Sequence, residues 1–190
     1  MIPPGLDSKT LRIASGALGT MLRQGNRASL TMVEELNRSD PDAVRSLHAA
    51  YREAGADILV TNTFAANSIT LSEAGLAEQA AELNKAGVRL ARSVAGKELA
   101  VWGSIGPLDL GLRLDDHSPD QLRQTYAIQC QALREADALV LETFREPREA
   151  EAALAEASAT GLPVIFQMGH TGTGAVGLAR FDRLRELALQ

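Results

Sequence analysis

The feature that most constrains this chain is a repeated plan: an apolar run, a small polar tip, then a helical pattern. Apolar runs at 10–14, 57–64, 99–107, 138–144 and 163–168 each read as a strand. The runs are nearly continuous rather than alternating, as in strands covered on both faces. Strand–helix units in series predict a parallel α/β fold, and such folds gather their chemistry at the carboxyl ends of the strands. The polar tips are therefore expected to share one rim.

The intervening segments carry helix signals. Ser39-Asp40-Pro41-Asp42 is a start, a capping residue followed by Pro in the first turn. From Pro41 to about Ala54 the residues Val44, Leu47, His48 and Tyr51 fall on one stripe, and Gly55 closes it. Further helices are predicted over 76–95, 119–136, 146–160 and 182–189, and a short one over 29–37, capped by Ser29 or Thr31. Ser15-Gly16-Ala17-Leu18-Gly19-Thr20 reads as a tight loop, and 170–177 as a Gly-rich one. No linker or low-complexity stretch divides the chain, so residues 1–190 are read as a single domain.

Composition narrows the class. Hydrophobic content of 45% and charged content of 23% are ordinary for a globular protein. A net charge of −5 argues against nucleic acid or an anionic membrane as the main partner. No apolar run approaches the roughly 20 residues that span a bilayer, and no signal peptide is visible. The single Cys130 has no partner for an internal disulfide, which fits a reducing cytoplasm.

The tips offer Ser15 and Gly16, then Thr61, Asn62 and Thr63, then Ser104 and Gly106, then Glu142 and Thr143, and finally Gln167. A carboxylate among hydroxyls and amides suits a ligand ammonium, and the Gly16 and Gly106 N–H groups suit a carboxylate. Together they resemble a clamp for an α-amino acid. Plainer roles stay open at each position. Glu142 could cap the next helix or pair with Arg145 or Arg148, Asn62 and Thr63 could be turn residues, and Ser104-Ile105-Gly106-Pro107 could be a sharp turn. The loop Gly169-His170-Thr171-Gly172-Thr173-Gly174 lacks a phosphate-binding lysine and reads as a connector. His48 reads as structural, His117 as surface loop and His170 as near the rim; three scattered histidines and one helical cysteine make no zinc site.

Several segments, in order, resemble one family. They are Ser15-Gly16-Ala17-Leu18-Gly19-Thr20, then His48-Ala49-Ala50-Tyr51 with Gly55-Ala56-Asp57-Ile58, then Thr61-Asn62-Thr63-Phe64. Gly103-Ser104-Ile105-Gly106-Pro107 and Leu141-Glu142-Thr143-Phe144 follow. The chain is similar to the homocysteine S-methyltransferases, the group that includes the homocysteine domain of cobalamin-dependent methionine synthase and betaine–homocysteine methyltransferase. The resemblance implies a (β/α)8 barrel and methyl transfer to the thiolate of homocysteine, giving methionine. It implies Glu142 on the substrate ammonium, with Asn62, Thr63, Ser104, Gly16 and Ser15 shaping the pocket. It also implies zinc held by three cysteines, one after the sixth strand and a pair after the eighth, which lowers the thiol pKa. The methyl donor varies among members and stays unassigned.

Two departures follow. Ser15 stands where the family usually has Asp. And an eight-unit barrel runs to about 250 residues, whereas this chain shows about five units, so the family's zinc cysteines would lie beyond Gln190. The expectation is an incomplete barrel, truncated after its fifth unit, that supplies the amino-acid half of the site. Open sheet edges are aggregation templates, so a homo-oligomer, or a second chain completing the barrel, is expected. Methyl transfer by this chain alone is not. Two other readings stay open: an inactive amino-acid-binding or regulatory remnant of the fold, and a different α/β-barrel enzyme with Glu142 as general base.

Overall fold

The computed structural model describes residues 11–24, 31–108 and 114–169, together with Asp182. Four parallel strands, β1 (Ile58–Val60), β2 (Ala100–Ile105), β3 (Ala138–Phe144) and β4 (Val164–Met168), lie in one sheet in sequence order. Each neighbouring pair is parallel. The helices are α1 (Leu18–Leu22), α2 (Leu36–Ser39), α3 (Pro41–Glu53), α4 (Ser68–Ser72), α5 (Ala80–Ala95), α6 (Pro119–Ala132) and α7 (Pro147–Ser158). The order never reverses, so this is the singly wound arrangement of a barrel rather than a doubly wound sheet with a switch point. None of the described helices is long and apolar enough to cross a membrane.

The helix signals act as expected. Asp40 caps α3 by accepting from the Ala43 N–H at 3.2 Å. Ser118 and Gln121 form a reciprocal capping box on α6. Gly55 ends the α3 turn at φ +96, a region other residues avoid. The sequence reading needs correction in three places. Thr31 does not cap the short helix; that segment opens as a 3-10 turn, Val33–Glu35, with Met32 before it and no side-chain cap. Part of the 15–20 loop is helical, as α1, and α4 was not anticipated. The strand expected at 10–14 survives only as a bridge between Ala14 and Ile58. There the backbone bonds from Ser15 N–H to the Ile58 carbonyl at 2.8 Å and from Asp57 N–H to the Ile13 carbonyl at 2.7 Å are joined by the Asp57 carboxylate, which takes the Ile13 N–H at 2.9 Å and pairs with Arg12 at 3.2 Å. Asp137 repeats the device, accepting from the Val101 N–H at 2.7 Å. The predicted helix at 182–189 and the loop at 170–177 lie outside the described residues, Asp182 excepted.

Side chains alternate across the sheet. Ile105, Leu139 and Leu141 pack with Leu122, Tyr126 and Leu133 of the helical layer. Leu59 and Val101 pack against Ala91 and Ala95 of α5. The opposite parity, Ile58, Trp102, Ala138 and Val140, forms a separate cluster joined by Val60, Ala100 and Ile165. That second face corresponds to a barrel interior, and Ser104 and Glu142 continue its columns toward the carboxyl rim.

Close approach of α5 to the end of β1 depends on Gly87. A Cβ there would lie 2.6 Å from the Thr63 methyl and 3.0 Å from Asn37 Nδ2. Gly87→Ala is therefore expected to destabilise by about 1–3 kcal/mol through overpacking, despite the better helix propensity of Ala, as read by chemical denaturation. His48 on α3 is fully buried, and neither ring nitrogen finds a hydrogen-bond partner among the described residues. Burial lowers its pKa from 6.5 to about 4. Its neutral form contributes stability that is full above 6.5 and lost as pH falls toward 4, on the order of 3 kcal/mol. His48→Leu should remove this loss, so the stability difference between wild type and variant should shift in the variant's favour on acidification.

Candidate functional site

At the carboxyl rim lies a cavity of about 690 Å³. Its walls come from the 15–20 loop and α1, from residues 31–34, from the tips of β1 and β2, and from Glu142, Thr143 and Arg145 after β3. The volume falls within the range of small-molecule sites.

Glu142 is one of two acids that line it, with Glu34 the other. Glu142 Oε1 accepts from Ser104 Oγ at 2.5 Å across the β2–β3 pair. Burial raises its pKa above 4.5, and the Ser104 hydroxyl opposes the rise. No recorded contact joins it to Arg145 or Arg148. Arg148 instead donates to the His117 carbonyl and pairs with Asp115 at 3.8 Å. The acid does not cap α7 either, whose N-cap residue is Glu146.

The β3 tip is irregular. Leu141 pairs with Phe166 and Phe144 with Met168, so β3 carries one residue more than β4 in that interval. The extra residue is accommodated at Thr143, whose φ is +71. A β-branched residue rarely adopts that conformation. Glu142 faces the cavity, and the bulge returns Phe144 to the helical core.

The other expected site residues divide into two groups. Ser104, Ser15 and Gly16 line the cavity with Glu142. Ser15 is buried, and its Oγ accepts from the Val60 N–H at 2.9 Å, so this hydroxyl secures the loop to β1. Gly16 lies against Tyr51, where a Cβ would be 3.2 Å from the phenol oxygen. Asn62 borders the cavity, but its Nδ2 donates to the Val33 carbonyl at 2.9 Å and to Asn37 Oδ1 at 3.0 Å. Thr63 is fully buried and outside the lining, with Oγ1 on the Ser104 carbonyl at 2.7 Å and on Thr61 Oγ1 at 2.6 Å. Both side chains hold the wall together. The Gly106 N–H donates to the Phe64 carbonyl at 2.8 Å, which removes it as a carboxylate donor. Gln167 is exposed and apart from the cavity.

Sequence reasoning missed Glu34. It is 3% exposed, lines the cavity, and accepts the Ala65 N–H on Oε1 at 3.0 Å, while Oε2 has no hydrogen-bond partner among the described residues. Burial raises its pKa, and the Ala65 bond and the charge of Arg23 oppose this. The only local signal was an acid in a segment read as a short helix. Phe64 was also passed over; it is 37% exposed at the cavity.

Against this geometry, the profile of the homocysteine S-methyltransferase family matches residues 12–179. The chain belongs to that family. Methionine synthase of Mycobacterium tuberculosis is 31% identical over 171 residues, covering 77% of this chain and 14% of the relative. Methionine synthase of Mycobacterium leprae is 29% identical over 164 residues, covering 77% and 13%. The oxidised form of the homocysteine methyltransferase MmuM from Escherichia coli superposes with a TM-score of 0.70 at 26% identity, covering 82% of this chain and 61% of that one. A metallated form of MmuM, at 24% identity and a TM-score of 0.70, shares the fold. The chain thus spans less than two thirds of the MmuM chains and about one seventh of the M. tuberculosis methionine synthase.

Among the described residues no group of three or more His, Cys, Asp and Glu is placed to hold a metal. Cys130 is buried in the helical core, where burial pushes its thiol up to about 12. The described residues therefore do not fit the zinc that the family resemblance implies, and no step is assigned to it.

Glu34 gives the test for this wall. Glu34→Gln retains an acceptor for the Ala65 N–H and removes the ionisable group. Protonated Glu34 contributes stability that is full below 4.5 and lost as pH rises through its raised value. The variant should accordingly gain on wild type with rising pH in thermal melts. Glu34→Ala should show the same trend with pH but lie about 1–3 kcal/mol below Glu34→Gln throughout, because the Ala65 N–H loses its partner.

Proposed function

We propose that this cavity binds the amino-acid substrate of a homocysteine S-methyltransferase, and that the chain contributes the amino-acid half of that site. The observation that carries this reading is Glu142, a carboxyl group drawn out of water at the rim, stabilised by one hydroxyl and facing the cavity in line with the inward column of β3. A ligand ammonium would supply the counter-charge that the protein withholds. Its charge-assisted hydrogen bond to Glu142 would favour ionisation and offset the desolvation that raises the pKa. Ser104 fixes the carboxylate, while Ser15 and Gly16 bound the opposite side. The similarity to the homocysteine methyltransferase MmuM supports the same ligand here. The methyl-transfer chemistry requires thiol activation from groups outside the described residues, whether in this chain or in a partner that completes the barrel.

Binding of L-homocysteine to the full chain under reducing conditions, followed by isothermal titration calorimetry, tests the proposal. Glu142→Gln should weaken binding about 10–100-fold, the worth of a charged hydrogen bond. Wild-type affinity should fall on acidification as Glu142 takes up its proton, and the variant should lack that dependence. Absence of homocysteine binding by the wild-type chain would overturn the assignment.

A further inference from the structure

We propose that Arg145 is the anion anchor of the cavity, holding the carboxylate of a zwitterionic amino acid whose ammonium rests on Glu142. This deepens, and rests on, the reading of the cavity as an amino-acid site.

Arg145 lines the cavity and is half-buried, yet no ion pair or hydrogen bond engages its side chain among the described residues, and its buried Nε has no partner. Burying a guanidinium N–H unpaired is costly unless something else completes it. The obvious protein partner is Glu142, which lines the same cavity three residues earlier, but Glu142 is held by Ser104 instead. The surrounding cations are committed elsewhere. Arg148 pairs with Asp115, and Arg23 donates to the Thr31 carbonyl at 3.0 Å.

The backbone keeps the acid and the base apart. Thr143, in its left-handed conformation, separates the cavity-facing Glu142 from Phe144, which is sunk in the core. Arg145 then runs along the backbone of Gly169, where a Cβ would stand 3.2 Å from both Cγ and Nε of the arginine. The Gly169 N–H is bonded to the Phe144 carbonyl at 2.9 Å, which fixes that surface. A side chain at 169 would press on the arginine stem and on the Thr143 carbonyl at 3.1 Å, so glycine gives this slot its full width.

An acid and a base sharing one partly desolvated cavity without neutralising each other match a ligand that carries both charges. The guanidinium fork presents parallel donors to a carboxylate. Of the two backbone donors that suit a carboxylate, the Gly106 N–H is spent on Phe64, which leaves Gly16 as the backbone alternative to Arg145. Selection should therefore depend on the ligand carboxylate, a group remote from the reacting thiol.

The test compares L-homocysteine with 3-aminopropane-1-thiol, the same molecule without its carboxylate, by calorimetry on the full wild-type chain and on Arg145→Gln. Wild type should prefer homocysteine. The variant should lose about 10–100-fold for homocysteine and stay within about twofold for the aminothiol, so that the preference collapses. Retained aminothiol binding also shows that the variant is folded, and Arg145→Lys should restore part of the preference. If the variant binds homocysteine as tightly as wild type, or if wild type binds the two ligands equally, Arg145 is not the anchor while Glu142 keeps its role. If wild type binds neither ligand, the amino-acid reading fails and takes this proposal with it.

Discussion

Where β1 stops at Val60, the chain from Thr61 to Asn67 is largely buried but has left the sheet, and its backbone groups must be paired by other means. Side-chain amides and hydroxyls supply the partners. Asn37 donates to the Asn62 carbonyl at 2.7 Å and to the Leu83 carbonyl at 3.0 Å, which joins α2, the β1 tip and α5. Gln129 reaches from α6 to the Thr63 carbonyl at 2.7 Å, and Asn84 from α5 to the Ala66 carbonyl at 2.7 Å. Thr61 Oγ1 accepts the Ser104 N–H at 3.0 Å, which ties the segment to β2. Such a network is costly when broken, although the carbonyl oxygens of the Asn84 and Gln129 side chains have no hydrogen-bond partner among the described residues. It fixes the strand to which Ser15 is tied and the carbonyl and amide positions of Ser104, and through Ser104 it fixes Glu142.

A second polar cluster holds the other side. Glu149, buried in the first turn of α7, accepts from the Leu108 N–H at 2.6 Å and from the Tyr126 hydroxyl at 2.8 Å. This pins the segment after β2, where Pro107 and Leu108 line the cavity, to α6 and α7. Burial raises the Glu149 carboxyl and, with the nearby acid, raises the Tyr126 phenol. The cavity is thus framed by two buried polar systems that face inward to each other's loops. The strained Thr143 lies at the tip of β3 between them, as expected if strain is tolerated only where neighbouring structure over-determines the backbone.

The order of elements, the parallel sheet and the place of Glu142 were legible because they follow from local pattern: continuous apolar runs, a capping residue before Pro41, and an acid ending a strand. Ser104 was legible for the same reason. Asn62 and Thr63 were legible as rim residues but not as structural ones, because the groups that consume their polar atoms, Asn37, Val33 and Ser104, lie far away in sequence. Glu34 was invisible for the converse reason; only the fold reveals that its segment backs the cavity. The Thr143 bulge had no local signature, since a β-branched residue argues against positive φ. Arg145 appeared in the sequence only as a counter-ion for Glu142, and the structure separates the two.

On the proposed reading, that separation governs what the cavity can select. A neutral thiol entering it would leave Glu142 and the buried Nε of Arg145 no better paired than before, whereas a zwitterion satisfies both at once. Discrimination of this kind is large because the unmatched site retains its unpaired polar groups. It also leaves most of the cavity uncommitted. The two charges occupy the β3 wall, while Phe64, Met32 and Glu34 border the remainder of the roughly 690 Å³. A volume of that order accommodates drug-sized molecules, more than one small amino acid requires. The amino acid would be held by its two charged ends on one wall, with its side chain directed into space wide enough for a second reactant.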